Sequence, residues 1–198
     1  MIMIDDESSD SLDLPNEYGV DDLPLIVQDR RFNEDGSFRY VGMHRDLMTG
    51  MYGDRLLING GMHPVFVATR QKLRLRLLNA ANARSFSFAF SDGRPFQIIA
   101  SDGGLLEKPI QANSVDLSPA ERAEINVDVS NGAPVQLLGL PLTPSSPFLA
   151  QGMMQRMIAS GLESTVVLSI EPESRLEISP LHITPPGKFR TSSCCRHC

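Results

Sequence analysis

From Leu23 onward, short runs of β-branched and aliphatic residues recur along the chain, separated by Gly, Pro, Asn and Asp. That spacing is the pattern of an all-β sandwich and not of alternating strand and helix units. It predicts strands near Leu25 to Arg31, Phe38 to Gly42, Arg55 to Asn59, Val65 to Thr69, Lys72 to Asn79 and Ser85 to Phe90. Further strands are expected near Phe96 to Ser101, Ser114 to Leu117, Ala123 to Val129, Val135 to Leu140 and Ser164 to Glu171. In Lys72-Leu73-Arg74-Leu75-Arg76-Leu77 charge and leucine alternate with a period of two. Successive side chains of a strand point to opposite faces, so the leucines are expected to pack while the charges meet water or a neighbouring domain. Ala123, Ile125, Val127 and Val129, with Glu124, Asn126 and Asp128 between them, repeat the arrangement.

Asp35-Gly36, Ser91-Asp92-Gly93, Asp102-Gly103-Gly104 and Asn131-Gly132 supply residues that tolerate positive φ, and so divide the strands with turns. The stretch from Ser146 to Gly161 breaks the pattern: Phe148, Leu149, Met153, Met157 and Ile158 can form one side of a short helix before the last strand, although Gly152 weakens it. Residues 1–19 open on a short β-like scrap, Met1 to Ile4, turn acidic and Ser-rich, and read as the end of a preceding domain and a linker. Residues 20–172 form the expected domain. Residues 173–198 are Pro-rich without periodicity and read as linker or disordered tail.

The chain has 198 residues, 41% of them hydrophobic, enough to bury one substantial core. A net charge of −6, with no long basic run, removes the electrostatic term that drives phosphate-backbone binding, which argues against a nucleic-acid partner. Apolar runs are far shorter than the roughly 20 residues a bilayer helix needs, and Asp5, Asp6 and Glu7 are the reverse of a basic signal-peptide start. No membrane segment or targeting signal is therefore expected within this chain. All three cysteines, Cys194, Cys195 and Cys198, lie in the last five residues, so the body holds no disulfide.

Chemistry is sparse. The histidines are His44, His63, His182 and His197, and none has another within five positions. A copper or zinc centre needs several imidazole or thiolate donors converging on one ion, usually as short-spaced pairs. A blue-copper site also needs a Cys thiolate, which the body cannot supply. His63, in Gly61-Met62-His63-Pro64, and His44 read as loop histidines. Cys194-Cys195-Arg196-His197-Cys198 can chelate a soft metal on composition, but it follows a structureless tail and reads as an arbitrary end. Met43, Met48, Met51, Met153, Met154 and Met157 are read as gap-fillers in preference to thioether ligands for Cu(I). Asp92 and Asp102 each precede Gly, where Asp caps backbone amides, and are not read as paired catalytic carboxylates. No nucleophile elbow, P-loop or dinucleotide-binding fingerprint is present. No catalytic, cofactor-binding or metal-binding residue is therefore assigned.

Six blocks, in order, carry a family resemblance: Tyr18 to Asp29, Tyr52 to Gly60, Leu73 to Arg84, Ser91 to Pro95, Ile99 to Leu106 and Ser118 to Glu124. Together they resemble the second cupredoxin domain of bacterial three-domain multicopper oxidases, of the cuprous-oxidase and laccase-like branch. The resemblance implies an all-β, Greek-key β-sandwich of cupredoxin (plastocyanin-like) type. In that family the first domain carries two His-x-His motifs and the third a His-Cys-His segment, while the middle domain ligates no copper and holds the others together. It therefore implies a fragment whose partners are flanking cupredoxin domains. No cofactor is implied in this chain; copper belongs to the intact, periplasmic parent, which would oxidise phenols or metal ions and reduce O2 to water. A copper-free periplasmic cell-division protein of the same three-domain fold shares the Gly-Val-Asp-Asp and Arg-Leu-Arg-Leu-Leu-Asn-Ala patterns and is the alternative. Ile99 to Gly104 leans toward the oxidase branch. A free-standing binding module is the third reading.

Overall fold

The computed structural model describes residues 7–40, 42, 44–142 and 162–173. Eleven strands run from β1 to β11: β1 (Asp22–Arg30), β2 (Arg55–Ile58), β3 (Val65–Ala68), β4 (Lys72–Asn79), β5 (Phe86–Phe90), β6 (Phe96–Ser101), β7 (Gly104–Ala112), β8 (Ser114–Leu117), β9 (Arg122–Asp128), β10 (Val135–Pro141) and β11 (Val166–Pro172). Among these described residues two short helices, α1 (Glu7–Asp10) and α2 (His44–Thr49), lie before β2. The strands form a six-stranded sheet, in the order β2-β1-β4-β9-β6-β7, and a five-stranded sheet, in the order β3-β11-β10-β5-β8. Each contains one parallel pair, β1 with β4 and β11 with β3, produced by crossovers between the sheets. The fold is the expected all-β sandwich of cupredoxin type.

The sheets close on one core. Leu73, Leu75 and Leu77 on β4 are at most 1% exposed, as are Ile125 and Val127 on β9, Phe86 and Phe88 on β5, Leu137 on β10 and Val167 on β11. Each such side chain contributes roughly 1.5–3 kcal/mol by leaving water. Phe90 of one sheet meets Phe96 of the other edge to face, with centroids 5.9 Å apart and planes at 71°, an arrangement favoured by the ring quadrupoles. The period of two read along β4 and β9 therefore places the apolar residues on the core side.

Three expectations need correction. Phe38 to Gly42 is not a strand: among the described residues only an isolated bridge from Phe32 to Phe38 forms there. Conversely β7 appears where no strand was expected, because Glu107, Lys108 and Pro109 interrupt its alternation and, as an edge strand, it is exposed along most of its length. Such charges and prolines blunt a free edge. Arg74 and Arg76 do not meet water; they are 4% and 5% exposed. Residues 7–10, within the stretch read as a linker, form the short helix α1. The helix expected within Ser146 to Gly161, the scrap at Met1 to Ile4 and the Cys-rich end lie outside the described residues.

Candidate functional site

The polar residues placed inside the sandwich bind its strands to one another. Asp29, near the end of β1, is 1% exposed, and its Oδ2 accepts from the Gly53 amide at 2.7 Å and from Arg84 Nε at 2.9 Å. Arg84 is 0% exposed; it also donates Nη2 to the Gly53 carbonyl at 2.9 Å and lies 5.1 Å over the Tyr52 ring. Burial pushes the Tyr52 phenol above its ordinary range, and the Arg84 charge pulls it the other way. Gly53 has to be glycine: a Cβ there would stand 2.2 Å from the Arg30 nitrogen and 2.5 Å from the Asp29 carbonyl carbon.

A second group lies across β1, β4 and β9, on the sheet face opposite the leucines. Arg76 forks onto Asp22 with Nε–Oδ1 at 2.8 Å and Nη2–Oδ2 at 2.6 Å, and Arg74 Nε donates to Glu124 Oε2 at 2.7 Å. Arg76 Nη1 reaches the other Glu124 oxygen at 3.4 Å, so the pairs form one chain of charges. The strand pairing explains the juxtaposition: Asp22 sits opposite Arg74, Pro24 opposite Arg76, and Arg76 opposite Glu124. Two amides complete the scaffold. Asn79, 0% exposed, donates to the carbonyls of Arg84 and Leu117 and accepts from the Ala81 amide. Asn59, at φ 51°, accepts from the Ile26 amide and donates to the Pro24 carbonyl, imitating a strand alongside β1.

Among the described residues, no donor set for copper is assembled by those read as candidates. His44 opens α2 and is exposed, while His63 stands exposed in the turn between β2 and β3 at φ 51°. Among the described residues no three His, Cys, Asp or Glu side chains gather in a way that could hold a metal ion. His182, His197 and the three cysteines lie outside those residues, as do Met43, Met153, Met154 and Met157. Met51 is buried and Met48 is 73% exposed. A thiolate-containing copper centre therefore does not fit the described body. Asp92 and Asp102 act as caps: Asp92 takes the Arg94 amide and guanidinium, which holds its carboxyl below the usual range, and Asp102 takes the Arg122 amide at 2.8 Å. A cavity of about 300 Å³ lined by Lys72, Phe96, Gln97, Gln111, Asn126 and Asp128 contains neither histidine.

A family model described as multicopper oxidase matches residues 17–136. The chain belongs to the multicopper oxidase family. Among solved structures it is similar to a laccase-like multicopper oxidase, CueO, from an Ochrobactrum species, at 36% identity and TM-score 0.66, covering 81% of this chain and 32% of that one. It is also similar to a variant of the multicopper oxidase McoA from Aquifex aeolicus, at 30% identity and TM-score 0.68, covering 85% and 35%. Among curated proteins it is similar to the cell division protein FtsP of Edwardsiella tarda, at 40% identity over 89% of this chain and 36% of that protein. FtsP of Escherichia coli matches at 39% over 90% and 37%. The chain thus spans little more than a third of the length of these curated relatives.

The charged scaffold lies within the matched stretch. Asp22, Asp29, Gly53, Arg76, Asn79, Arg84 and Glu124 all belong to the blocks that carry the multicopper oxidase resemblance, and each takes part in fixing the strands. Of these, Arg76 stood out in the sequence, as a residue facing water or a neighbouring domain; Asp29 lies in the polar run Gln28 to Arg31 that follows Leu25, Ile26 and Val27, and nothing local marks it as buried.

Proposed function

We propose that this chain is the structural, copper-free middle domain of a three-domain protein of the multicopper oxidase family. Its task is to hold flanking cupredoxin domains in place, and it carries out no oxidation by itself. The observation that supports this reading most is the use of its buried charges. Asp22, Asp29, Arg31, Asp46, Arg74, Arg76 and Arg84 are each ion-paired within the chain, tying strands, loops and helix α2 to one another. The donor chemistry agrees with it, since no cysteine precedes Cys194. In this reading the parent is a periplasmic oxidase whose other domains carry the copper used to oxidise phenols or metal ions at the expense of O2.

A copper-free cell-division parent is the second reading, favoured by the 40% identity to FtsP over 89% of the chain. The coding sequence on either side separates the two. His-x-His codons before the chain and a His-Cys-His segment after it support the oxidase, whereas intact flanking domains lacking them support the cell-division protein. For the chain itself, metal analysis after removal of residues 189–198 is expected to find copper far below one atom per molecule and no oxygen consumption. Stoichiometric copper with oxygen uptake in that sample overturns the scaffold assignment.

A further inference from the structure

The chain holds two Asn-Gly steps, Asn59-Gly60 and Asn131-Gly132, and the fold treats them in opposite ways. A glycine after asparagine leaves its amide nitrogen unshielded by a Cβ, free to approach the carbon of the asparagine side-chain amide. Asn59 is held at both ends of that amide: Oδ1 accepts from the Ile26 N–H at 2.9 Å and Nδ2 donates to the Pro24 carbonyl at 2.8 Å. Asn131 is exposed, in the turn between β9 and β10. Its Oδ1 accepts from the Ala133 N–H at 3.2 Å and lies 3.5 Å from Arg94 Nη2, whereas its Nδ2 has no hydrogen-bond partner among the described residues. Arg94 is itself fixed. Its side chain is 10% exposed, Nη1 donates to the Asp128 carbonyl at 3.0 Å, and Nε donates to Asp92 Oδ2 at 2.9 Å. A guanidinium and an amide N–H thus stand on the one oxygen that gains negative charge when Asn131 Cγ is attacked, and the nitrogen that must leave is untethered.

We propose that Asn131-Gly132 is a self-modification site, at which Asn131 loses ammonia to become aspartate or isoaspartate, with Arg94 and the Ala133 amide as its oxyanion donors. Hydroxide takes the Gly132 amide proton and the nitrogen forms a bond to Asn131 Cγ. The Cγ–Nδ2 bond then breaks, and Nδ2 leaves as ammonia with a proton from water. A second water opens the resulting succinimide at either carbonyl. Gly132 N–H donates to the Val129 carbonyl at 3.1 Å, so the turn has to open before the nitrogen attacks. Giving up one such hydrogen bond slows the step about tenfold at most. Withdrawing one preorganised oxyanion donor from a water-excluded site costs about 10²–10³-fold, so two donors outweigh the opening even after a discount for the exposure of Asn131. The aspartate product adds a negative charge beside Arg94, which already pairs with Asp92, and the isoaspartate product lengthens the backbone of the turn.

Incubation of the 198-residue protein in mildly alkaline heavy-oxygen water, followed by digestion and mass spectrometry, reads both asparagines in one sample, because opening of the succinimide leaves a heavy oxygen at the site. In the folded chain Asn131 is expected to convert at least about tenfold faster than Asn59. In urea, where neither keeps its partners, the two are expected to agree within about twofold, and Asn131 to react about threefold more slowly than when folded. Arg94→Met is expected to slow Asn131 about tenfold, and Arg94→Lys, which keeps the charge without the fork, to slow it less. Asn59 in the same variant samples reports whether the sandwich stays closed. Where a variant opens it, the comparison of folded and urea-treated unaltered chain still decides. Asn131 reacting no faster folded than in urea overturns the proposal. So does an Arg94→Met chain in which Asn59 stays slow and Asn131 converts as fast as before.

Discussion

Removing the guanidinium from the centre of the sandwich, by Arg84→Met, should cost far more than one surface ion pair. Arg84 and Asp29 are both fully buried in their side chains, at 0% and 0%. Without Arg84, Asp29 Oδ2 keeps the hydrogen bond from the Gly53 amide at 2.7 Å, and among the described residues its Oδ1 has no hydrogen-bond partner to take up the loss. Breaking a buried pair from one side costs about 3–5 kcal/mol, because the remaining charge stays desolvated. With an m-value of about 2 kcal/mol/M in urea, the unfolding midpoint should fall by roughly 1.5–2.5 M.

Arg84→Met combined with Asp29→Leu removes both charges and leaves the Gly53 N–H and carbonyl without these partners, a loss of about 2–3 kcal/mol that is free of any buried unpaired charge. The double variant should therefore be more stable than Arg84→Met alone. Arg84→Lys retains the charge and loses the fork onto the Gly53 carbonyl, so it should fall between wild type and Arg84→Met. Urea unfolding followed by far-ultraviolet circular dichroism measures the whole cycle. If Arg84→Met costs less than about 1 kcal/mol, or if the two single losses simply add, the pair is not the buried clamp described above.

Two other outcomes follow from local geometry. Gly53→Ala drives a Cβ to 2.2 Å from the Arg30 nitrogen and should cost about 3 kcal/mol, whereas Gly36→Ala, at φ 81° with nothing within 4 Å, should cost about 1 kcal/mol; thermal unfolding of equal destabilisation at both sites would contradict this. The Asp92 carboxyl is held below its ordinary value of 3.8 chiefly by the hydrogen bond from the Arg94 side chain. A carboxyl lowered by folding stabilises the protein fully above its unfolded value and loses that contribution as pH falls through the folded one. Asp92→Asn should therefore flatten the decline in melting temperature below about pH 4 and leave its shape near pH 7 unchanged. An identical acid limb in both proteins would refute it.

Sequence alone determined the fold class, the strands of the core and the family. A strand's period of two is a local property, so Leu73, Leu75 and Leu77 could be assigned to one face before any partner strand was known. The absence of a thiolate from the body was legible for the same reason, since coordination chemistry begins with which donors exist. The second face was not legible. Arg74 and Arg76 read as solvent-facing because alternation gives the side of a strand and not what lies beside it. Only the pairing of β4 with β1 and β9 brings Asp22 and Glu124 within reach of them. Phe38 and Tyr40 looked like strand residues by composition, yet tertiary structure placed them on a hairpin projecting beyond the sheet. Asp29, Gly53 and Arg84 meet across separations of 24 and 55 positions. Contacts of that kind follow from the chain's return path through the sandwich, which local propensity does not encode.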